Sequence, residues 1–118
     1  MFKAQLKESV SSPFDCNYIQ KNYIDLGCAD VLAEVFQIFQ ESAPQKLAAL
    51  QVACAGKNFI ELRQLAHSLK GESGSIGGKY VRHVAENIEK AARVEDLQQI
   101  AALLPELELE LDRLLLAI

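Results

Sequence analysis

Apolar and small side chains recur at intervals of three and four residues in the middle of the chain, and this spacing predicts a helix. The positions are Leu62, Leu65, Ala66, Leu69, Ser73 and Ile76. At about 100° per residue they form one stripe along the helix surface. No segment of the sequence alternates apolar and polar residues as a half-buried strand would. The fold class is therefore expected to be all-α.

The same period continues through most of the chain. Helices are predicted over about residues 30–55, 58–75, 79–93 and 97–117, after a shorter one over about 14–26. Long amphipathic helices joined by short loops favour an antiparallel four-helix bundle, here with an additional short N-terminal helix. Its core would hold Phe36, Phe39, Leu62, Leu65, Leu69, Val84, Ile88, Leu107 and Leu111.

Side chains that cap or break helices refine these boundaries. Asp30, Asn58 and Asp96 stand where each can cap the N-terminus of a predicted helix. Pro44 and Pro105 fall inside helical patterns, and a proline there removes a hydrogen bond and clashes with the preceding turn. We therefore expect a disturbance of the second helix at residues 40–44, and a kink or a break at Pro105.

The length of the chain is typical of a single domain. The 118 residues suffice for one domain with a buried core. Residues 1–12 are polar and weakly patterned, and they are predicted to form an N-terminal arm or a short irregular helix. Residues 13–118 are predicted to form the helical domain.

Charge and cysteine content exclude several function classes. The net charge is −4 and the basic residues are scattered, which argues against a nucleic-acid partner. Three cysteines and two histidines make a zinc site improbable and favour reduced thiols in a cytoplasmic protein. No apolar run approaches the roughly 18 residues of a membrane span, and no signal-peptide pattern follows Met1. We expect neither secretion nor membrane insertion.

A histidine stands on the outer face of the central helix. His67 lies roughly 150° from the centre of the apolar stripe and should point into solvent. Its neighbours on that face are Arg63, Gln64, Lys70, Gly71 and Gly74. Each glycine inside a helix costs about 1 kcal/mol relative to alanine, so two of them favour a closely approaching partner or ligand. Alternatively, the glycines mark a loop.

The segment AHSLKG, followed by GSIGG, resembles the core motif of histidine-containing phosphotransfer (HPt) domains. In that pattern a lysine follows the histidine by three residues, and glycines follow it by four and ten. His67, Lys70, Gly71 and Gly77 match in turn, and the resemblance extends over roughly residues 14–118. The sequence departs from the pattern at three positions, where Glu72, Gly78 and Ala85 replace the usual small residue, alanine and cysteine.

The resemblance implies a phosphorelay carrier. His67 would accept a phosphoryl group on Nε2, and Lys70 would give electrostatic support. A partner would bind at Arg63, Gln64, Gly71, Gly74 and Gly77. The partners would be a sensor histidine kinase and a response-regulator receiver domain, which would bring the reactive aspartate and Mg²⁺. The chain itself is expected to be a monomer without cofactor or metal, and not an enzyme.

Other functions fit the residues less well. A helical module could dock a receiver without being phosphorylated, and a phosphohistidine phosphatase would need a water-positioning residue that is not identifiable. The segment does not fit the catalytic triad of a hydrolase, because Ser68 adjoins His67 and side chains at adjacent helix positions do not face each other. Neither a P-loop nor a G-x-G-x-x-G fingerprint is present to bind ATP. The second histidine, His83, is expected to be an ordinary solvated side chain.

Overall fold

Helices follow one another along residues 12–118, the part of the chain that the computed structural model describes. A short helix, α1 (Cys16–Ile19), runs directly into a π-helical turn (Gln20–Ile24). The long helices are α2 (Ala29–Ala55), α3 (Phe59–Ser75), α4 (Lys79–Arg93) and α5 (Leu97–Ala117). The described residues contain no strand, and the predicted all-α class is confirmed. Apart from Ser12, the predicted N-terminal arm lies outside the described residues.

The four long helices pack in a ring around one core. Each packs on the next along the chain, and α5 closes the ring against α2. The short connections make successive helices antiparallel, as predicted. The predicted core residues are buried except Leu65, which is partly buried against the core. Within residues 12–118, no helix combines the length and apolar character that crossing a bilayer requires.

Neither internal proline interrupts its helix, so the break considered at Pro105 is wrong and the disturbance expected at residues 40–44 does not divide α2, whereas a kink at either proline stays a prediction. Helix α2 continues through Pro44, and α5 continues through Pro105. Both prolines are exposed, and so are Gln40 and Ala101, whose carbonyls lose the usual helical donor. Because water can reach those carbonyls, the apolar faces of the long helices outweigh the cost of the prolines.

Two of the three predicted N-caps are confirmed. Asn58 Oδ1 accepts a hydrogen bond from the Glu61 backbone N–H at 3.1 Å, and Asp96 Oδ1 accepts one from Gln99 at 3.1 Å. The assignment of Asp30 as a cap is wrong, because α2 begins one residue earlier and Cys28 occupies its N-cap. Asp30 lies in the first turn, where its charge still favours the helix dipole.

The N-terminal helical segment is shorter than the predicted 14–26 and packs on the turn between α3 and α4. Leu26, at the end of the predicted range, lies beyond the helix and is exposed. The segment is held by the Tyr23 hydroxyl, which donates to the Ser75 carbonyl at 2.6 Å. The Asp15 backbone N–H also donates to the Gly77 carbonyl at 2.6 Å.

The turn between α3 and α4 requires its two glycines. Gly77 has a φ of +70°, and a Cβ there would lie 3.0 Å from Ile19 Cγ1. A Cβ on Gly78 would lie 2.7 Å from Leu114 Cδ2. The absence of both side chains lets α1 and α5 pack closely on this end of the bundle.

Candidate functional site

His67 projects from the middle of α3 into solvent. Its side chain is 68% exposed, whereas Ala66 and Leu69 beside it are completely buried. The predicted orientation of His67 is confirmed. The core does not depend on this imidazole, which is available to a partner.

A buried carboxylate on α4 orients the imidazole. Glu89 is only 5% exposed at its side chain, and its Oε2 lies 2.8 Å from His67 Nδ1. A carboxylate oxygen can only accept, so Nδ1 carries the proton and donates it to this bond. The neutral ring then keeps its lone pair on Nε2. The carboxylate from α4 thus selects the tautomer in which Nε2 is the nucleophilic atom.

Two further cations satisfy the same carboxylate. Lys70 Nζ donates to Glu89 Oε1 at 2.8 Å, and Arg93 Nη2 donates to Oε2 at 3.2 Å. The pKa of Glu89 is lowered, and the hydrogen bond from Lys70 is the largest cause. Burial of the carboxylate raises the pKa in opposition, and the hydrogen bond from His67 lowers it further. Glu89 is therefore negatively charged at neutral pH, which its roles as acceptor and as counter-charge require.

The predicted site residues differ in their placement around His67. Arg63 and Gln64 are exposed on α3, and Gly71 is exposed at a position where an added Cβ would meet no other atom within 4 Å. Gly74 is half-buried beneath a side chain from α4. Gly77 lies away from this surface, buried in the α3–α4 turn.

Lys70 also departs from its predicted setting. Its side chain is only 23% exposed, because it reaches from α3 to Glu89 on α4 instead of standing free in solvent beside His67. It stays a prediction that these site residues contact a partner. The part that Lys70 plays in phosphoryl transfer also stays a prediction.

The charge of Glu72, a departure from the motif, is neutralised within the bundle. Lys46 Nζ on α2 donates to Glu72 Oε2 at 2.9 Å, and the Ser42 hydroxyl lies 3.5 Å from Oε1. Both contacts turn the carboxylate toward α2. Glu72 is therefore directed away from the α4 side on which Glu89 holds His67.

Sequence reasoning missed the roles of Glu89 and Arg93. A signal was present, because Glu89 adjoins Ile88 and lies between Ala85 and Ala92 on the apolar face of α4. A lone carboxylate on such a face needs buried partners. Those partners come from α3 as well as from α4, and only the packing of the two helices identifies them.

His83 has the surroundings of an ordinary surface residue. It is exposed on α4, and the side-chain amide of Asn87 lies beside it, with Nδ2 3.3 Å from Nε2. Across residues 12–118, no three His, Cys, Asp or Glu side chains are grouped so as to hold a metal ion. The expectation that the chain needs no cofactor of its own stays a prediction.

Comparison with known proteins assigns the chain to a family. The sequence model of the Hpt domain matches residues 34–117. The fold is similar to the crystal structure of histidine-containing phosphotransfer protein B (HptB) from Pseudomonas aeruginosa PAO1. The TM-score is 0.81, the identity is 23%, and the match covers 90% of each chain. No curated protein matches the sequence. The chain belongs to the Hpt domain family, whose members carry phosphoryl groups on histidine in phosphorelays.

Proposed function

We propose that His67 is the phosphoryl acceptor of this chain and that it exchanges the group with the aspartate of a response-regulator receiver domain. The main support is the hydrogen bond from Nδ1 of the exposed imidazole to buried Glu89. It leaves Nε2 as the nucleophile and gives the ring a fixed orientation.

The transfer step follows from this geometry. The Nε2 lone pair attacks the phosphorus of an aspartyl phosphate, forming an N–P bond. The P–O bond to the aspartate breaks, and its electron pair leaves with the carboxylate. The imidazole keeps its Nδ1 proton and becomes positively charged, and the adjacent Glu89 carboxylate stabilises that charge. The reverse step returns the phosphoryl group to a receiver.

The partner supplies what the chain lacks. Phosphoryl transfer depends on in-line positioning and charge neutralisation more than on covalent machinery. The receiver would bring the aspartate and Mg²⁺, and a sensor histidine kinase would introduce the phosphoryl group from ATP. Because His67, Lys70 and Glu89 come from one chain, a monomer suffices for the site. The chain would act in the cytoplasm as a phosphoryl carrier without turnover of its own.

Phosphotransfer assays with two histidine variants test the proposal. Wild-type protein, His67→Gln and His83→Gln are each incubated with phosphorylated receivers and kinases of the host. We expect acid-labile, base-stable label on the wild type and on His83→Gln and none on His67→Gln, which should keep its circular dichroism spectrum because His67 is exposed.

Label retained by His67→Gln would show that the acceptor is another residue. A wild-type chain that binds receivers but takes no label from any donor would instead identify an interaction module that is not phosphorylated.

A further inference from the structure

Gly74 provides space for an arginine from the neighbouring helix. A Cβ on Gly74 would lie 3.1 Å from Cδ of Arg82 and 3.3 Å from its Nε. The Arg82 side chain therefore crosses from the first turns of α4 onto the surface of α3. A glycine inside a helix costs stability relative to alanine. At position 74 the absence of a side chain leaves room for Arg82.

The charge of Arg82 is not neutralised by a carboxylate of the bundle. Among residues 12–118, no ion pair involves Arg82 or its neighbour Lys79. Lys79 Nζ instead lies 5.3 Å from the centroid of the Tyr80 ring. Lys79 and Arg82 lie about one turn apart on α4 and line the same cleft, so they place two positive charges together on a chain whose net charge is −4.

These cations border an open cleft next to the phosphorylation site. The cleft has a volume of about 510 Å³ and is lined in part by Tyr18, Gly71, Gly74, Lys79 and Arg82. The lining also contains Asp15, whose Oδ1 accepts a hydrogen bond from the Tyr18 N–H at 3.1 Å and whose charge offsets one of the two cations, so the cleft keeps an excess of one positive charge.

The cleft lies within reach of any partner that contacts His67. Gly71 is one helical turn from His67, and Gly74 is about 10 Å from it along the axis of α3. A typical interface buries about 800 Å² on each partner, equivalent to a disc of roughly 16 Å radius. A receiver centred on His67 would therefore cover Arg82.

We propose that Arg82, held across Gly74, is a docking residue that pairs with an acidic side chain of the receiver domain and helps to select the receiver. The inference rests on the proposed function of His67. The Mg²⁺ site of a receiver is built from carboxylates, and an acidic side chain at its rim that does not bind Mg²⁺ would complement the charge of Arg82. Arg82 contributes to encounter and specificity, and the chemistry at Nε2 does not require it.

Transfer rates from phosphorylated protein to receiver, measured against receiver concentration at low and high salt, test the role. Arg82→Gln should raise the half-saturating receiver concentration about three- to tenfold at low salt and leave the maximal rate within about twofold. The difference should shrink at high salt, because screening weakens exposed ion pairs. Arg82→Lys should recover most of the affinity.

Lys57→Gln is the matched control, because it removes the same charge from an exposed side chain in the α2–α3 loop. It should leave the concentration dependence unchanged. Gly74→Ala should weaken docking about twofold in the wild-type background, because the added methyl group displaces Arg82. The same substitution should have no effect on docking in the Arg82→Gln background, where the arginine is absent.

Equal concentration dependence for Arg82→Gln and Lys57→Gln would overturn the docking role, and so would a loss confined to the maximal rate. Calorimetric titration with an unphosphorylated receiver measures docking without transfer. A loss of affinity of about three- to tenfold in Arg82→Gln at low salt would support the inference even if His67 accepted no phosphoryl group. Failure of His67 to accept a phosphoryl group would contradict only the proposed function.

Discussion

At the scale of single residues, Glu89 is the side chain on which the chemistry of His67 most depends. Replacing it with glutamine keeps the size of the side chain and removes its charge, so the positive imidazole formed during transfer loses its counter-charge. We expect Glu89→Gln to slow phosphorylation of His67 about tenfold or more, which corresponds to a loss of about 1.4 kcal/mol or more of electrostatic stabilisation of the transition state. Rapid-quench transfer from one phosphorylated receiver measures the rate. An unchanged rate would mean that Glu89 only fills space beneath the ring.

The lowered pKa of Glu89 also predicts how stability depends on pH. The folded protein binds this proton less readily than the unfolded chain does, so stability rises with pH between the two pKa values. The contribution of Glu89 is fully present above the ordinary glutamate pKa of 4.5 and is lost as pH falls through the lower folded value.

Urea denaturation of wild type and Glu89→Gln from pH 7 to pH 3 measures this contribution. The difference in unfolding free energy should be constant at neutral pH and should shrink on acidification below about pH 4.5. A difference that does not vary with pH would contradict the charged state assigned to Glu89.

Lys70 is expected to affect stability as well as rate. Lys70→Ala removes a partner 2.8 Å from a carboxylate that is only 5% exposed, and we expect a loss of about 1–3 kcal/mol in unfolding free energy. Transfer should slow roughly tenfold. Lys46→Ala is the control, because it breaks the more exposed pair with Glu72. That variant should lose at most about 1 kcal/mol and transfer at the wild-type rate.

At the scale of helices, the glycines of α3 and of the following turn should respond in opposite ways. A Cβ added at Gly71 meets nothing within 4 Å, so Gly71→Ala should stabilise the bundle by about 0.5–1 kcal/mol, raising Tm by roughly 3–6 °C. Transfer to a receiver should nevertheless slow, because the added methyl group faces the partner one turn from His67. Faster or unchanged transfer would show that no partner approaches this position closely.

Gly77→Ala should destabilise the protein. The substitution forces alanine to a φ of +70° and places its Cβ 3.0 Å from Ile19, so we expect a cost of about 1–3 kcal/mol. Thermal denaturation of Gly71→Ala and Gly77→Ala under the same conditions gives the comparison. A Tm for Gly77→Ala at or above the wild-type value would contradict the assigned turn conformation.

Local sequence signals predicted the helices well where a cap or an apolar period dominated. Asn58 and Asp96 indicated the starts of α3 and α5, since a side-chain cap acts within one turn. Pro44 and Pro105 suggested breaks that do not occur, because the cost of a proline depends on whether water reaches the orphaned carbonyl. That exposure follows from which face of the helix packs, and the apolar period of each helix, with both prolines on its exposed side, was the signal that favoured a continuous helix.

At the scale of the bundle, the site is formed by side chains of two adjacent helices, α3 and α4. The spacing of apolar residues in α3 predicted the exposure of His67, which is a property of one helix. The bond to Glu89 joins residues 22 positions apart and depends on how α3 and α4 are aligned against each other. Helical periodicity contains no information on that alignment, which explains why the imidazole could be predicted and its orienting carboxylate could not.

The protonation state of the His67 ring gives the sharpest test of the proposed site. Long-range ¹H–¹⁵N spectra of the protein labelled at histidine distinguish the two ring nitrogens before and after phosphorylation. We predict that the proton of the neutral ring lies on Nδ1 in the free protein, and that the phosphoryl group lies on Nε2 of His67 after transfer. A proton on Nε2 in the neutral free protein, or a phosphoryl group on Nδ1 or on another residue, would contradict the roles assigned to Glu89 and His67.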